Sequence, residues 1–250
     1  MLGFLDAGVS VAYHLVTALA TALTPLAGPA AAAAAIIAFT LAVRLLLLPL
    51  SYYALRGQAA QARLQPQIAE LRRRHARQPD RLQRELQALY QREGGGLLLG
   101  CLPLLIQLPF FSVVYRLFLS HSVGGQPNRL LSHHLLGVPL GSSWLTAGPL
   151  TGHGLVFIGL FALLAVGGWL TTRLARRTAA PPSAAQSRVV TAVTTVIPFT
   201  TVVIAMFVPL AAGLYLLTTV FWTLAERAVL GRRAQLAVAT RAERPGAVAT

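Results

Sequence analysis

The sequence predicts an all-α, polytopic membrane protein, and three observations predict it. Of its 250 residues 55% are apolar and only 11% are charged, where a soluble domain carries about 25% charged residues. Mean hydropathy is +0.63, so too few polar side chains exist to cover a water-facing surface. Five apolar stretches of about the length a bilayer core demands occupy residues 30–53, 97–119, 154–172, 189–208 and 211–230. A soluble fold is excluded, and so is disorder, whose condition is low hydrophobicity.

Ahead of the first stretch, residues 1–29 are apolar enough to resemble a sixth span, but their polar residues are segregated. Asp6, Ser10, His14, Thr17, Thr21 and Thr24 fall within an arc of about 80° at helical periodicity. Leu5, Val9, Ala12, Val16, Leu19 and Leu23 take the remainder. This predicts an amphipathic interfacial helix lying on the outer leaflet. The first basic residue is Arg44, so the basic n-region of a secretory signal is missing and no cleaved signal is expected.

Between the first and second spans, residues 54–96 carry nine arginines and four acids. Leu64, Ile68, Leu71 and His75, then Leu82, Leu86, Leu89 and Tyr90, recur at spacings of three and four, the signature of amphipathic helix. Gln78-Pro79-Asp80 interrupts them where one helix stops and another starts. The expectation is an antiparallel helical hairpin in water with little further packing. Residues 179–183, Ala-Ala-Pro-Pro-Ser, form a linker between the third and fourth spans.

Arginine placement sets the orientation. All 21 basic residues are arginines; 18 of them lie in residues 54–96, 173–188 and from 227 onward, against two in residues 116–153 and none in the first 29. Positive charge accumulates on the cytoplasmic side. The N-terminus is therefore expected outside and the C-terminus inside, with a core at residues 30–230, a cytoplasmic hairpin at 54–96 and a basic cytoplasmic tail at 231–250. The net charge of +14 points to anionic lipid rather than to a specific nucleic acid. The single cysteine, Cys101, excludes an internal disulfide.

Arg44 is the anomaly. It lies nine residues before Tyr53, roughly 13 Å from the cytoplasmic end of its span at helical rise, where an arginine costs about 2.5–3.5 kcal/mol even on the lenient insertion scale. Thr40 and Ser51 share its face. No acid occurs in the five spans except Glu226, near a cytoplasmic end, so a hydrated cavity is the better expectation than a buried ion pair. Other spans offer matching polar positions: Gln107 on the second, and Tyr215, Thr219, Trp222 and Glu226 in one stripe on the last. Threonines of membrane helices commonly bond their own backbone or a neighbouring helix, so each alone has a structural reading; the stripes together point to a polar groove.

These residues resemble a family. Arg44-Leu-Leu-Leu-Leu-Pro49-Leu50 after Thr40, then Leu64-Gln65-Pro66, Leu89-Tyr90, Gly100-Cys101-Leu102-Pro103-Leu-Leu-Ile-Gln107-Leu-Pro109-Phe110 with Tyr115, Pro198, and Pro209 followed by Gly213-Leu214-Tyr215 are similar to the motifs of the YidC/Oxa/Alb membrane protein insertases. The likeness runs from about residue 30 to residue 230, with departures at Gly96-Leu97, Leu216 and Val220. It implies a five-span core with a cytoplasmic hairpin, and a hydrophilic groove open to cytoplasm and lipid that carries an arginine at the position of Arg44. It further implies insertion and folding of nascent membrane proteins in a bacterial plasma membrane without a nucleotide or cofactor. The groove would be lined by Arg44, Thr40, Ser51, Gln107, Tyr215, Thr219 and Trp222. Nascent membrane proteins and the bilayer are the partners, with the ribosome and a secretion channel as further candidates.

The competing reading from another class is a small transporter or channel with an anion site at Arg44; the internal repeats and broken helices such proteins use are not evident. No catalytic constellation is expected. His121, His133, His134 and His153 fall on the outer side, but their spacing matches no familiar metal site and no acid accompanies them.

Overall fold

The structure is a computed structural model, and it describes residues 2–92, 113, 116–120, 122–123, 126–148, 152–178 and 188–242. The chain opens with α1 (Leu2–Ala27), a 3₁₀ turn (Gly28–Ala30) and α2 (Ala31–Leu46). Gly28 has φ +51°, a left-handed conformation that glycine adopts without steric penalty. Pro29 follows at the first turn. Val9, Ala12, Val16 and Ala20 form the buried stripe of α1, and α1 packs extensively on α2. His14, Thr17, Thr21 and Thr24 are exposed, and the three threonine hydroxyls donate to carbonyls four residues back, at 2.8–3.0 Å. The segregation expected of residues 1–29 is therefore present as burial against α2.

Helix α2 ends earlier than the apolar stretch does. The expected single helix over 30–53 is corrected to two: α2 stops at Leu46, and α3 runs from Leu48 to Arg74. Pro49 lacks the N–H that would continue the ladder, while Ser51 N still donates to the carbonyl of Leu47 at 2.9 Å. The end of the apolar stretch and the first half of the polar block thus form one helix. Helix α4 (Pro79–Arg92) begins at the proline that the sequence marks as a helix start.

Residues 116–119 are helical. They lead into an irregular segment with two small antiparallel hairpins, β1 (Ser122–Val123) with β2 (Gln126–Pro127), and β3 (His134–Leu135) with β4 (Val138–Pro139), followed by the single turn α5 (Trp144–Ala147). Three long helices follow: α6 (Gly152–Thr178), α7 (Arg188–Phe207) and α8 (Leu210–Ala242). Helix α8 passes through the boundary expected at residue 230, so the first twelve residues of the predicted tail are helical.

The buried core joins α1, α2, α6 and α8 with Leu117, Phe118, Leu130, Val138 and Leu140 of the irregular segment. Helix α8 is its axis, in contact with α2, α3, α6 and α7. Two helical stretches among the described residues are long and apolar enough to cross a membrane, Ala7–Leu46 and Gly154–Arg177. Residues 97–112 and 114–115 of the second-span block and the Pro181-Pro182 linker lie outside the described residues.

Helix α3 packs more extensively on α8 than on α4, with Leu64 and Ile68 buried. Helix α3 also contains residues 48–53 of the first apolar stretch, and Leu64 and Ile68, though buried, stand outside the main core cluster. A groove of about 460 Å³ lies between α3 and α4, lined among others by Pro66, Glu70 and Leu71 from one side and Glu85, Leu89 and Arg92 from the other.

Candidate functional site

Six of the seven residues expected to line a groove fall on three helices that pack on one another. Thr40 and Arg44 are on α2, Ser51 is on α3, and Tyr215, Thr219 and Trp222 are on α8; α8 touches both α2 and α3. Gln107 lies outside the described residues. The axis holding these helices is set by glycine. A Cβ on Gly167 would stand 2.7 Å from Val220 Cγ1, and one on Gly213 would stand 2.6 Å from Leu160 Cδ2. Helices α6 and α8 therefore approach as closely as small residues allow, the usual means of membrane helix association.

The candidate residues divide into satisfied and unsatisfied groups. Thr40 is buried and its hydroxyl donates to the carbonyl of Ile36 at 2.7 Å; Thr218 does the same to Leu214 at 2.8 Å. These two follow the structural reading of a membrane threonine. Tyr215 is buried with its ring 6.3 Å from that of Phe118. Ser51 and Trp222 are half-buried.

Arg44 and Thr219 differ. Arg44 Nε and Thr219 Oγ1 are both buried and neither has a hydrogen-bond partner among the described residues. No ion pair of Arg44 occurs among the described residues either, whereas Glu70 pairs with Arg73 and Arg74. A buried polar atom without a partner costs about 1–3 kcal/mol, and these two lie on α2 and α8, helices in contact with one another. Sequence reasoning placed Glu226 on the stripe but left it out of the groove. It is 8% exposed and accepts the indole N–H of Trp222 at 2.5 Å. Its i, i+4 spacing from Trp222 was the available signal.

No group of histidine, cysteine or acidic residues fit to hold a metal occurs among the described residues. At the other end of α6, Arg173 lies over the Trp169 ring at 5.0 Å, an aromatic and basic pair suited to a membrane interface.

Residues 23–237 match the model of the 60Kd inner membrane protein family. The chain belongs to that family. This is the YidC/Oxa/Alb family whose motifs the sequence resembles. Among similar proteins, the membrane protein insertase YidC of Ruegeria sp. (strain TM1040) is 33% identical over 152 residues, which are 56% of this chain and 24% of that one. The YidC of Oceanobacillus iheyensis is 35% identical over 111 residues, 43% of this chain and 42% of that one, and the YidC of Clostridium perfringens is 40% identical over 83, covering 33% and 35%. Each match spans less than half the length of the relative. Family membership and the apolar helices make this a bacterial membrane protein.

Proposed function

We propose that this 60Kd inner membrane family protein is a membrane protein insertase that moves short segments of nascent chains into the bilayer through a polar groove formed by α2, α3 and α8. The observation that carries the reading is the pair of unpartnered buried polar atoms, Arg44 Nε and Thr219 Oγ1, on helices that pack together in a chain of this family. A polar segment entering hydrocarbon loses its hydrogen bonds at several kcal/mol per group. A wet groove shortens the apolar path, and the Arg44 charge draws acidic residues toward it. Two unit charges at 4 Å interact by about 4 kcal/mol at an effective dielectric of 20, and hydration of the groove leaves less.

The topology that goes with this reading has five spans, the N-terminus outside, α1 on the outer leaflet, α3 and α4 as a cytoplasmic hairpin that captures substrate, and the basic C-terminus in the cytoplasm. No catalysed bond change and no cofactor enter the mechanism. Arg44, Thr40, Ser51, Gln107, Tyr215, Thr219 and Trp222 line the groove, with nascent membrane proteins as substrate and the ribosome and a secretion channel as candidate partners. Labelling of a Ser183→Cys variant on a Cys101-free background from the outside overturns the topology.

The deciding experiment measures insertion of a short single-span substrate with an acidic tail into vesicles holding the purified chain, together with the melting temperature of the same variants in detergent. Arg44→Lys keeps most of the insertion yield. Arg44→Ala lowers it tenfold or more, the equivalent of about 1.4 kcal/mol, with melting temperature unchanged or raised because no partner charge is stranded. Breaking a buried ion pair would cost about 3–5 kcal/mol. Retained insertion with a steep fall in melting temperature makes Arg44 structural and the reading wrong.

A further inference from the structure

The segment between the helical residues 116–119 and α6 is a built cap. Asn128 is buried, and its amide nitrogen donates to the carbonyls of Leu117 and Ser120 at 2.7 and 3.1 Å while its oxygen accepts from Leu130 N at 3.2 Å. Leu140 and Ser142 offer their carbonyls at 2.9 Å to the backbone N–H groups of Ala211 and Leu210, the first residues of α8. Trp144 of α5 packs edge-on against Phe157 and Phe161 of α6, with ring centroids 6.1 and 5.5 Å away. The cap is thus seated on the ends of α6 and α8, and its last described residue, Gly148, precedes α6 by only four positions.

At the tip of this cap the backbone and the side chain conflict. With Leu135 paired to Val138, the β3–β4 loop has two residues, Leu136 at φ +51° and Gly137 at φ +83°. Both φ values are positive, as in a type I′ turn, whose first position favours asparagine, aspartate or glycine. A leucine there is strained by its Cβ, and Leu136 is 81% exposed, so packing within the chain does not repay the strain. A second leucine stands uncovered near β3, Leu26, 85% exposed and next to the 3₁₀ turn that touches β3, and on the same segment Leu145 of α5 is 62% exposed. Arg129, His133 and His134 are exposed on the same segment. No acid occurs anywhere between residues 94 and 225.

We infer that the Leu136 tip is a lipid anchor, set into the headgroup layer of the bilayer beside the cap. The occupant follows from placement and charge. A segment resting on the ends of two apolar helices lies at headgroup depth, exposed leucines there meet acyl chains, and exposed arginine and histidine without neighbouring carboxylates match lipid phosphate. Strain kept at an exposed position is the mark of a binding function rather than of folding.

The test uses the full chain on a Cys101→Ser background with an environment-sensitive fluorophore at Ser132→Cys, reconstituted in phosphatidylcholine and phosphatidylglycerol vesicles. With Leu136 present, the probe is quenched more by lipids carrying a nitroxide at carbon 5 than at carbon 12, and iodide reaches it poorly. Leu136→Asn, which suits the turn, raises iodide quenching at least twofold while the melting temperature in detergent stays level or rises. Leu136→Gly serves as the second variant with the same expectation. Equal iodide access with and without Leu136, stronger quenching from carbon 12, or a steep loss of melting temperature in both variants each overturns the anchor. A tip that docks on another protein instead gives free iodide access in these protein-poor vesicles.

Discussion

Helix α8 packs against α6 and against α2, and the two contacts are made of opposite materials. Toward α6 it offers Gly213 to Leu160 and sets Val220 against Gly167, an interface with no room for a methyl group. The α2 contact brings together helices that carry Thr219 Oγ1 and Arg44 Nε, buried and unpartnered among the described residues. The first contact is closed by shape; the second joins helices that each carry one unpartnered polar atom. A helix can hold unsatisfied polar groups in place only if something else fixes it, since each orphan weakens the fold by about 1–3 kcal/mol. The glycine contact supplies that fixing, and Leu210 and Ala211, bonded to the cap, hold the start of the same helix.

The comparison breaks first at the glycines. Gly167→Ala puts a Cβ within 2.7 Å of Val220 Cγ1, and overpacking of this kind costs about 1–3 kcal/mol. A lower melting temperature in detergent is expected, with partial recovery in the Gly167→Ala, Val220→Ala double variant. Gly213→Ala meets the far end of a leucine, Leu160 Cδ2, which yields more readily than the β-branched Val220, so its loss is smaller. If Gly167→Ala leaves the melting temperature unchanged, the closed interface is not what fixes α8.

A smaller effect, level or of opposite sign, is expected on the α2 side. Thr219→Val removes a buried hydroxyl that has no partner among the described residues, so stability stays level if groove water satisfies it and rises by at most about 1 kcal/mol if it does not. Thr218→Val deletes a bond of 2.8 Å to the Leu214 carbonyl and is neutral to mildly destabilising. Melting temperatures of the two variants side by side sharpen the contrast. Should Thr219→Val be the more destabilising, Thr219 is bonded after all and the contrast fails.

How much of this was legible beforehand depended on the kind of signal. The apolar stretches and the polar stripes are periodic, so the positions of α6, α7 and the start of α8 were readable, as was the amphipathic split of α1. The helix break was harder. Arg44 and Tyr53 sit in one apolar run, and hydropathy cannot see that Pro49 withholds a single N–H; the proline itself was the signal. The α3 contact with α8 had no separate signal, because α8 continues to Ala242 past several arginines that read as a polar tail. The cap was illegible for a physical reason. Its organiser, Asn128, reaches Leu117 across eleven residues, and its strands are two residues long, so no period exists to read. Among the expected groove residues, Thr40 is bonded within its own helix and Arg44 is unsatisfied, a distinction that needs geometry, since the sequence places both on one face.

The smallest expected effect lies away from α8, on the part of α3 that carries the polar block, where Glu70 lines the groove toward α4. Glu70 is held below the ordinary carboxylate range, first by the hydrogen bond that Arg74 Nε donates to it at 2.8 Å and then by Arg73, whose guanidinium lies 2.6 Å away. A carboxylate whose pKa is lower in the folded chain contributes stability that is fully present above its unfolded value of 4.5 and is lost as pH falls through the folded value. Both arginines are well exposed, so the contribution is screened by solvent and small. Amide exchange along α3 in the full protein, corrected for intrinsic rates, should quicken below about pH 5, the upper edge of such a transition, while the protection of α8 near Gly213 stays level. Glu70→Gln should exchange alike on both sides of that pH, and more sodium chloride should shrink the wild-type difference. An equal loss of protection in α3 and around Gly213 would instead tie the hairpin limb and the glycine contact into a single cooperative unit, and the separation of the polar block from the closed contact of α8 would be wrong.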